Sequence, residues 1–321
     1  MTTATRVPVT HDMAGGELGA DDAWTTVRQY GFVPLVKEAF TRFRYADGFS
    51  HSRALGLQYC FALIPLAIAV VGLSVSLNQA RIGQVLADAL RQLSPGGARD
   101  FVEQALAQGA EQAATGQLAL WFGLIAALIA LTTGMGQVER GANRIYGIDR
   151  DRPTKEKYSR AAGLAVTAGI LSLLGFIVLV AGGAIASGFG WSEGVVTVWN
   201  VLRWPLGILL VLGSYTIIFE RAPRRNQPGL SWLAVGAGVS LALWLIFTLL
   251  LSLYVSRSSS FGSTYGPLTG LFALLIWAYL TSIALFFGVA VAAQLEAIRG
   301  GQRMPAEPDP ELAVAHPHHA R

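Results

Sequence analysis

Residues 258–295 read SSSFGSTYGPLTGLFALLIWAYLTSIALFFGVAVAAQL, and no Asp, Glu, Lys or Arg occurs among them. A helix needs about 20 apolar residues to cross the hydrocarbon core of a bilayer. Lipid offers no partner to unpaired backbone groups, so a single continuous apolar run of this length spans as an α-helix. The same absence of charge recurs over 54–80, 112–138, 161–192 and 226–256. A shorter run, 204–219, reaches spanning length if Trp199 to Arg203 extend it and Arg203 snorkels outward. Composition agrees: 53% of the 321 residues are hydrophobic and 14% are charged, against about 25% charged in a soluble domain. The runs are continuous and do not alternate, which excludes the short alternating segments of a membrane β-barrel.

These readings define an all-α integral membrane protein with about six transmembrane helices. The expected spans are 54–77, 118–138, 161–189, 199–219, 230–255 and 268–295, within a membrane domain over 34–299. Residues 1–33 and 300–321 are expected to be disordered: the first is rich in Thr, Asp, Gly and Ala, the second in Pro, Glu and His. Over 34–45, Val36, Phe40 and Phe43 share one helical face while Lys37, Arg42 and Arg44 lie around the other. That pattern suits either a helix in the membrane surface or one packed on the bundle. Between spans one and two, residues 78–117 are expected to form an amphipathic helical hairpin broken at Ser94-Pro95-Gly96-Gly97 on the outer face.

The net charge of +4 invites a nucleic-acid reading, but the basic residues sit in alternate loops. Arg140, Arg144, Arg150, Arg152, Lys155, Lys157 and Arg160 follow span two, and Arg221, Arg224 and Arg225 follow span four. The positive-inside rule therefore places both termini in the cytoplasm of a plasma-membrane protein, with anionic lipid headgroups as the partners of these loops and no nucleic acid expected. One cysteine, Cys60, excludes an internal disulfide. No phosphate-binding loop of the GxxxxGK[ST] type occurs, no cofactor is implied, and no cluster of His, Asp and Glu has metal-site spacing. An enzyme is not expected.

Polar groups within spans are expensive and mark either pathways or interhelical hydrogen bonds. The candidates for a cavity or pathway are Gln58, Tyr59, Pro65, Gln137, Asn143, Arg144, Tyr146, Tyr265 and Gly266. Glu139, Arg140, Glu220 and Arg221 are candidates for its cytoplasmic mouth. Pro65 lies mid-span, whereas Pro205 and Pro267 fall near expected helix starts.

Several segments together resemble the YihY/BrkB family of bacterial inner-membrane proteins. Arg53-Ala54-Leu55 through Ala62-Leu63-Ile64-Pro65 is similar to that family's opening helix, and Asn143-Arg144-Ile145-Tyr146-Gly147 to its exit from span two. Leu253-Tyr254-Val255, Phe261-Gly262-Ser263-Thr264-Tyr265-Gly266 and Gln294-Leu295-Glu296 follow in the family's order, over roughly residues 35–298. Ala62 departs from the Ser of many members, so no role for that hydroxyl carries over. Some members bear a ribonuclease label and others a virulence-factor name. The resemblance implies a role in moving lipids or lipid-linked molecules. With the polar-lined bundle and the kinked first span it points to a lipid or anionic amphiphile as substrate. The alternative is a non-transporting scaffold or regulator, using the outer hairpin and basic inner loop, and a ribonuclease is the least supported.

Overall fold

The computed structural model describes residues 4–9, 18–76, 99, 103–104, 107, 117–181, 192–257 and 269–307. Eight helices and no strand lie among the described residues. They are α1 (Ala20–Tyr30), α2 (Phe32–Tyr45), α3 (Gly48–Ser76), α4 (Gln117–Ile145), α5 (Thr154–Phe176), α6 (Glu193–Arg221), α7 (Leu230–Arg257) and α8 (Thr269–Arg299). A single π-helical turn, Ile177–Ala181, continues α5. The last six helices are each long and apolar enough to cross a membrane.

The helices outrun the charge-free stretches. α4 passes Val138, the expected end of span two, and carries Glu139, Arg140, Asn143 and Arg144 as two further turns. α6 begins at Glu193, so Arg203 lies inside the helix and not at its outer boundary. Pro205 is therefore interior to α6 and not near its start. A helix is limited by its hydrogen-bond ladder and not by the bilayer, so a polar end can project beyond the lipid. The expected hairpin over 78–117, Pro267, and the candidates Tyr265 and Gly266 lie outside the described residues, apart from scattered hairpin positions.

Each spanning helix packs against the next in chain order, and α8 returns to α3, so the six close into a ring. α8 also touches α4. The most buried side chains gather at one end, where Phe43, Tyr146, Phe219, Trp232, Phe286 and Leu295 pack together. α8 supplies much of this core, from Ala284 through Ala297. α6, by contrast, presents Val198, Val201, Leu202, Leu206 and Leu209 outward. Such exposed apolar surface is expected of helices that face lipid.

Part of residues 1–33 is ordered, contrary to the sequence expectation. α1 places Asp21 and Asp22 in its first turn and Arg28 in its last, the charge order its dipole favours. The Gly19 N–H donates to the Asp22 carboxylate at 3.3 Å. Ala23 and Thr26 are buried, and α1 leans on α7 and α8. Gly31, at φ 96°, makes the turn into α2. α2 packs on the bundle through Leu35, Ala39, Arg42 and Phe43, while Phe32, Val33 and Phe40 remain exposed. Arg42, expected on the polar face, is thus on the buried one. Residues 300–307 are also ordered: Ala306 bridges to Ala4, and the Thr5 N–H donates to the Pro305 carbonyl at 3.2 Å. The two ends of the described chain therefore meet at the same end of the bundle.

Candidate functional site

A buried guanidinium organises that end. Arg42 has no solvent exposure. Its Nε donates to Gln294 Oε1 at 2.7 Å, and its Nη1 to the carbonyls of Thr5 at 2.8 Å and Ile145 at 3.1 Å. Its Nη2 donates to Thr5 Oγ1 at 3.0 Å. Gln294 Nε2 passes the network on to Glu38 Oε2 and to the Arg303 carbonyl, each at 3.0 Å. Burial pulls the Arg42 guanidinium down to about 10, so it stays charged at neutral pH. Four hydrogen bonds satisfy a charge that would otherwise be costly to bury.

A second buried arginine stands beside it. Arg225 forms a two-pronged pair with Glu296, Nη2 to Oε1 at 2.5 Å and Nη1 to Oε2 at 3.1 Å. Its Nη2 also donates to the Pro8 carbonyl at 2.7 Å, and its guanidinium lies 4.6 Å from the Tyr146 ring centre. Residues 4–9, the α6–α7 connection and α8 are thereby tied together.

The basic loop after α4 folds back on itself. Arg152 reaches Glu139 at 3.2 Å, with both side chains nearly inaccessible. It also donates to the carbonyls of Ala222 and Pro223 at 2.8 and 2.7 Å. Asp151 accepts from Lys157 at 2.8 Å, Asn143 at 2.9 Å and Arg140 at 3.1 Å. Burial pushes its carboxyl upward, but those three donors outweigh burial and hold it at about 2. Asn143 Oδ1 accepts from the Arg224 N–H at 2.7 Å. Much of the charge that the sequence places in this loop is therefore spent on internal partners.

Deeper in the bundle, Thr133 donates to Gln58 Oε1 at 3.1 Å, and Gln137 Nε2 lies 2.9 Å from His51 Nδ1. Gln58 and Tyr59 line a hollow of about 10 Å³ between α3 and α4, closed by Leu55, Ala62, Leu131, Met135 and neighbouring residues. That is room for about one water molecule. A larger groove, about 390 Å³, lies between α5 and α6 and is lined by Arg160, Gly163, Leu164, Thr167 and Arg221.

The expected site residues thus fall into separate places. Glu139, Arg140, Asn143 and Tyr146 belong to the interlocked end, and Arg144 meets Asp149 at 3.4 Å beside it. Gln58 and Tyr59 share the small hollow, Gln137 pairs with His51, and Pro65 sits within α3. Glu220 and Arg221 pair on the surface at 3.4 Å, and Arg221 alone of the expected residues lines the groove. Sequence reasoning singled out neither Arg42, Arg225 and Glu296 as a buried set nor Arg160 and Gly163 as groove residues. The one available signal was Gln294-Leu295-Glu296, polar groups closing a long apolar run. Among the described residues, no group of three or more His, Cys, Asp or Glu side chains is placed to hold a metal ion.

The model of the virulence factor BrkB family matches residues 39–312. The chain belongs to this family. Within the BrkB family's reach it is 29% identical, over 267 residues, to the ribonuclease-like protein YfkH of Bacillus subtilis (strain 168), covering 82% of this chain and 95% of that one. It is 25% identical to a UPF0761 membrane protein of Rhodospirillum centenum, over 84% of this chain and 59% of that protein. It is 28% identical to a UPF0761 membrane protein of Stenotrophomonas maltophilia, over 81% of this chain and 62% of the relative. The chain thus spans about three fifths of the length of these two UPF0761 relatives. No solved structure matches it. BrkB membership and six apolar helices make this a multi-pass membrane protein of a bacterial family.

Proposed function

We propose that the chain handles a lipid or another anionic amphiphile, which it takes from the bilayer at the α5–α6 flank and moves across it. The groove carries this reading. There, basic side chains, a polar floor and exposed apolar helix faces meet. The hollow between α3 and α4 is about 10 Å³ against about 390 Å³ for the groove, which favours a ligand that stays partly in lipid over a solute passing between those helices. The test is reconstitution of the full chain in vesicles carrying a trace of headgroup-labelled phosphatidylglycerol. Protein-containing vesicles should expose more label to an impermeant quencher, over time, than empty ones. Equal protection, with and without proton or sodium gradients, would sink the reading.

A scaffold or regulator is the second reading. It is favoured by the exposed Trp24 of α1 and Phe32, Val33 and Phe40 of α2, large apolar side chains on helices outside the six spans. The name of the Bacillus relative raises RNA cleavage as a third. Two carboxylates at the basic end, Glu139 and Asp151, are held in ion pairs with Arg152 and with Lys157 and Arg140.

We further propose that the interlocked end faces the cytoplasm of the plasma membrane. The support is the gathering of basic residues there and the meeting of both chain ends, as an even number of spans requires. A Glu307→Cys label site in a Cys60→Ala background should stay unreactive to an impermeant maleimide in intact cells. Labelling before lysis would reverse the orientation.

A further inference from the structure

We propose that the α5–α6 groove is a binding site for the phosphate-bearing headgroup of an anionic glycerophospholipid. The proposal deepens the lipid-handling reading and rests on it in drawing the ligand from the bilayer.

The chemistry begins with two arginines from different helices that line one groove, Arg160 on α5 and Arg221 on α6. Each has a carboxylate neighbour at long range: Glu156 reaches Arg160 Nε at 3.3 Å, and Glu220 reaches Arg221 Nε at 3.4 Å. Both contacts are solvent-exposed, a setting in which ion pairs contribute little. In both the nearest approach is at Nε, and Glu156 is also shared with Arg152 at 3.7 Å. A guanidinium offers phosphate a planar fork of donors, and basic pockets between helices at the headgroup level are suited to anionic lipid.

The floor fits the same ligand. A Cβ at Gly163 would meet nothing within 4 Å, so the missing side chain leaves open space between the two charges. The Thr167 hydroxyl donates to the Gly163 carbonyl at 2.8 Å, which leaves its lone pairs to accept from a glycerol headgroup hydroxyl. Gly163, Thr167, Ile170 and Leu174 follow i, i+4, i+7, i+11 and so form one stripe along α5. Ile170 is 54% exposed and Leu174 47%. This stripe runs from the basic rim roughly 16 Å into the span, at 1.5 Å per residue. An acyl chain can follow it while the phosphate stays at the rim. Free phosphate lacks that second contact.

The test uses the purified full chain in neutral detergent. Binding is read by native mass spectrometry with short-chain phosphatidylglycerol, short-chain phosphatidylcholine and inorganic phosphate. Wild type should retain phosphatidylglycerol in preference to the other two. Arg160→Gln and Arg221→Gln should each weaken that retention about five- to tenfold, the effect of losing one charged donor near a lipid surface. Gly163→Phe fills the groove without changing charge and should weaken it comparably. Because that site is open, the variant is expected to keep its helical circular dichroism, which makes it the control for folding. Arg28→Gln, on α1, should bind as wild type does. Equal retention of phosphatidylglycerol and phosphatidylcholine by wild type would overturn the proposal. So would unchanged binding in all three groove variants, or inorganic phosphate competing at equal concentration. The two readings fail distinguishably: binding without movement in the vesicle assay sinks the transport reading and leaves the site, and movement that survives Gly163→Phe sinks the site and its α5–α6 entry route but leaves lipid movement by the chain.

Discussion

Arg42→Ala is expected to destabilise the bundle by about 3–5 kcal/mol, because three buried acceptors lose a charged donor at about 1–3 kcal/mol each. Its Nε and terminal nitrogens satisfy Gln294 Oε1, the Thr5 and Ile145 carbonyls and Thr5 Oγ1, all in a region without solvent. Truncation leaves Gln294 Oε1 and the two carbonyls buried without this donor, while the Thr5 hydroxyl keeps its bond to the Met304 carbonyl; each stranded acceptor costs about 1–3 kcal/mol. Gln294 would also lose the partner that orients it toward Glu38 and Arg303. Arg42→Lys is expected to recover only a small part of the loss. An ammonium is a point donor on a flexible stem and cannot reach three directions in the plane of the fork. Thermal unfolding of the purified protein in detergent reads the effect. Arg53→Gln is the comparison, since Arg53 is exposed and its side chain donates to its near neighbour Ser50 at 3.0 Å. The decisive extension is a double-mutant cycle with Thr5→Val, which should show coupling above about 0.5 kcal/mol for residues in one network. An Arg42→Ala midpoint equal to that of Arg53→Gln would mean that the Arg42 network does not hold this end of the bundle together.

The membrane architecture was legible because lipid imposes a rule on single segments. A run such as 161–192 without charge must be a spanning helix whatever it packs against. The interlocked end obeys no such local rule. Arg42 looked solvent-exposed because a helical period assigns a charged residue to the polar face by default. Its partners lie 37, 103 and 252 residues away, so only the fold identifies them. α1 was missed for a related reason: its buried face is made of Ala23 and Thr26, too small and too polar to register as an apolar stripe. The groove is less legible still. Arg221 stands out in sequence only as a candidate for the cytoplasmic mouth, Arg160 reads as an ordinary positive-inside residue on a different helix, and Gly163 matters through the side chain it lacks. Among the expected pathway residues, Gln58 and Gln137 found hydrogen-bond partners within the bundle, the reading that weighs first for any polar group in a span.

Gly288→Leu is expected to have the other large effect, because it separates the two helices on which the interlocked end depends. α7 and α8 cross with almost no gap. A Cβ at Gly288 would run into the Ser240 hydroxyl and the Gly236 carbonyl, and one at Gly236 would stand 2.5 Å from the Gly288 carbonyl and 2.8 Å from the Ala292 side chain. A hydroxyl can rotate away, but a backbone carbonyl moves only if its helix moves. Helices in lipid gain stability chiefly from close packing at such small-residue crossings. Displacing α8 also carries Gln294 and Glu296 away from Arg42 and Arg225. The loss should therefore reach or exceed about 3 kcal/mol, the upper end for overpacking. Gly236→Ala should cost less, about 1–3 kcal/mol. Gly238→Ala, two residues further along the same helix, should be neutral or stabilising by up to about 1 kcal/mol, since a Cβ there meets nothing within 4 Å. The contrast between 236 and 238 separates the crossing from a general aversion of α7 to substitution. Equal midpoints for the two alanine variants would show that α7 and α8 do not meet at these glycines. Ser240→Gly should relieve only part of the Gly288→Ala defect, because the carbonyl of Gly236 remains in place.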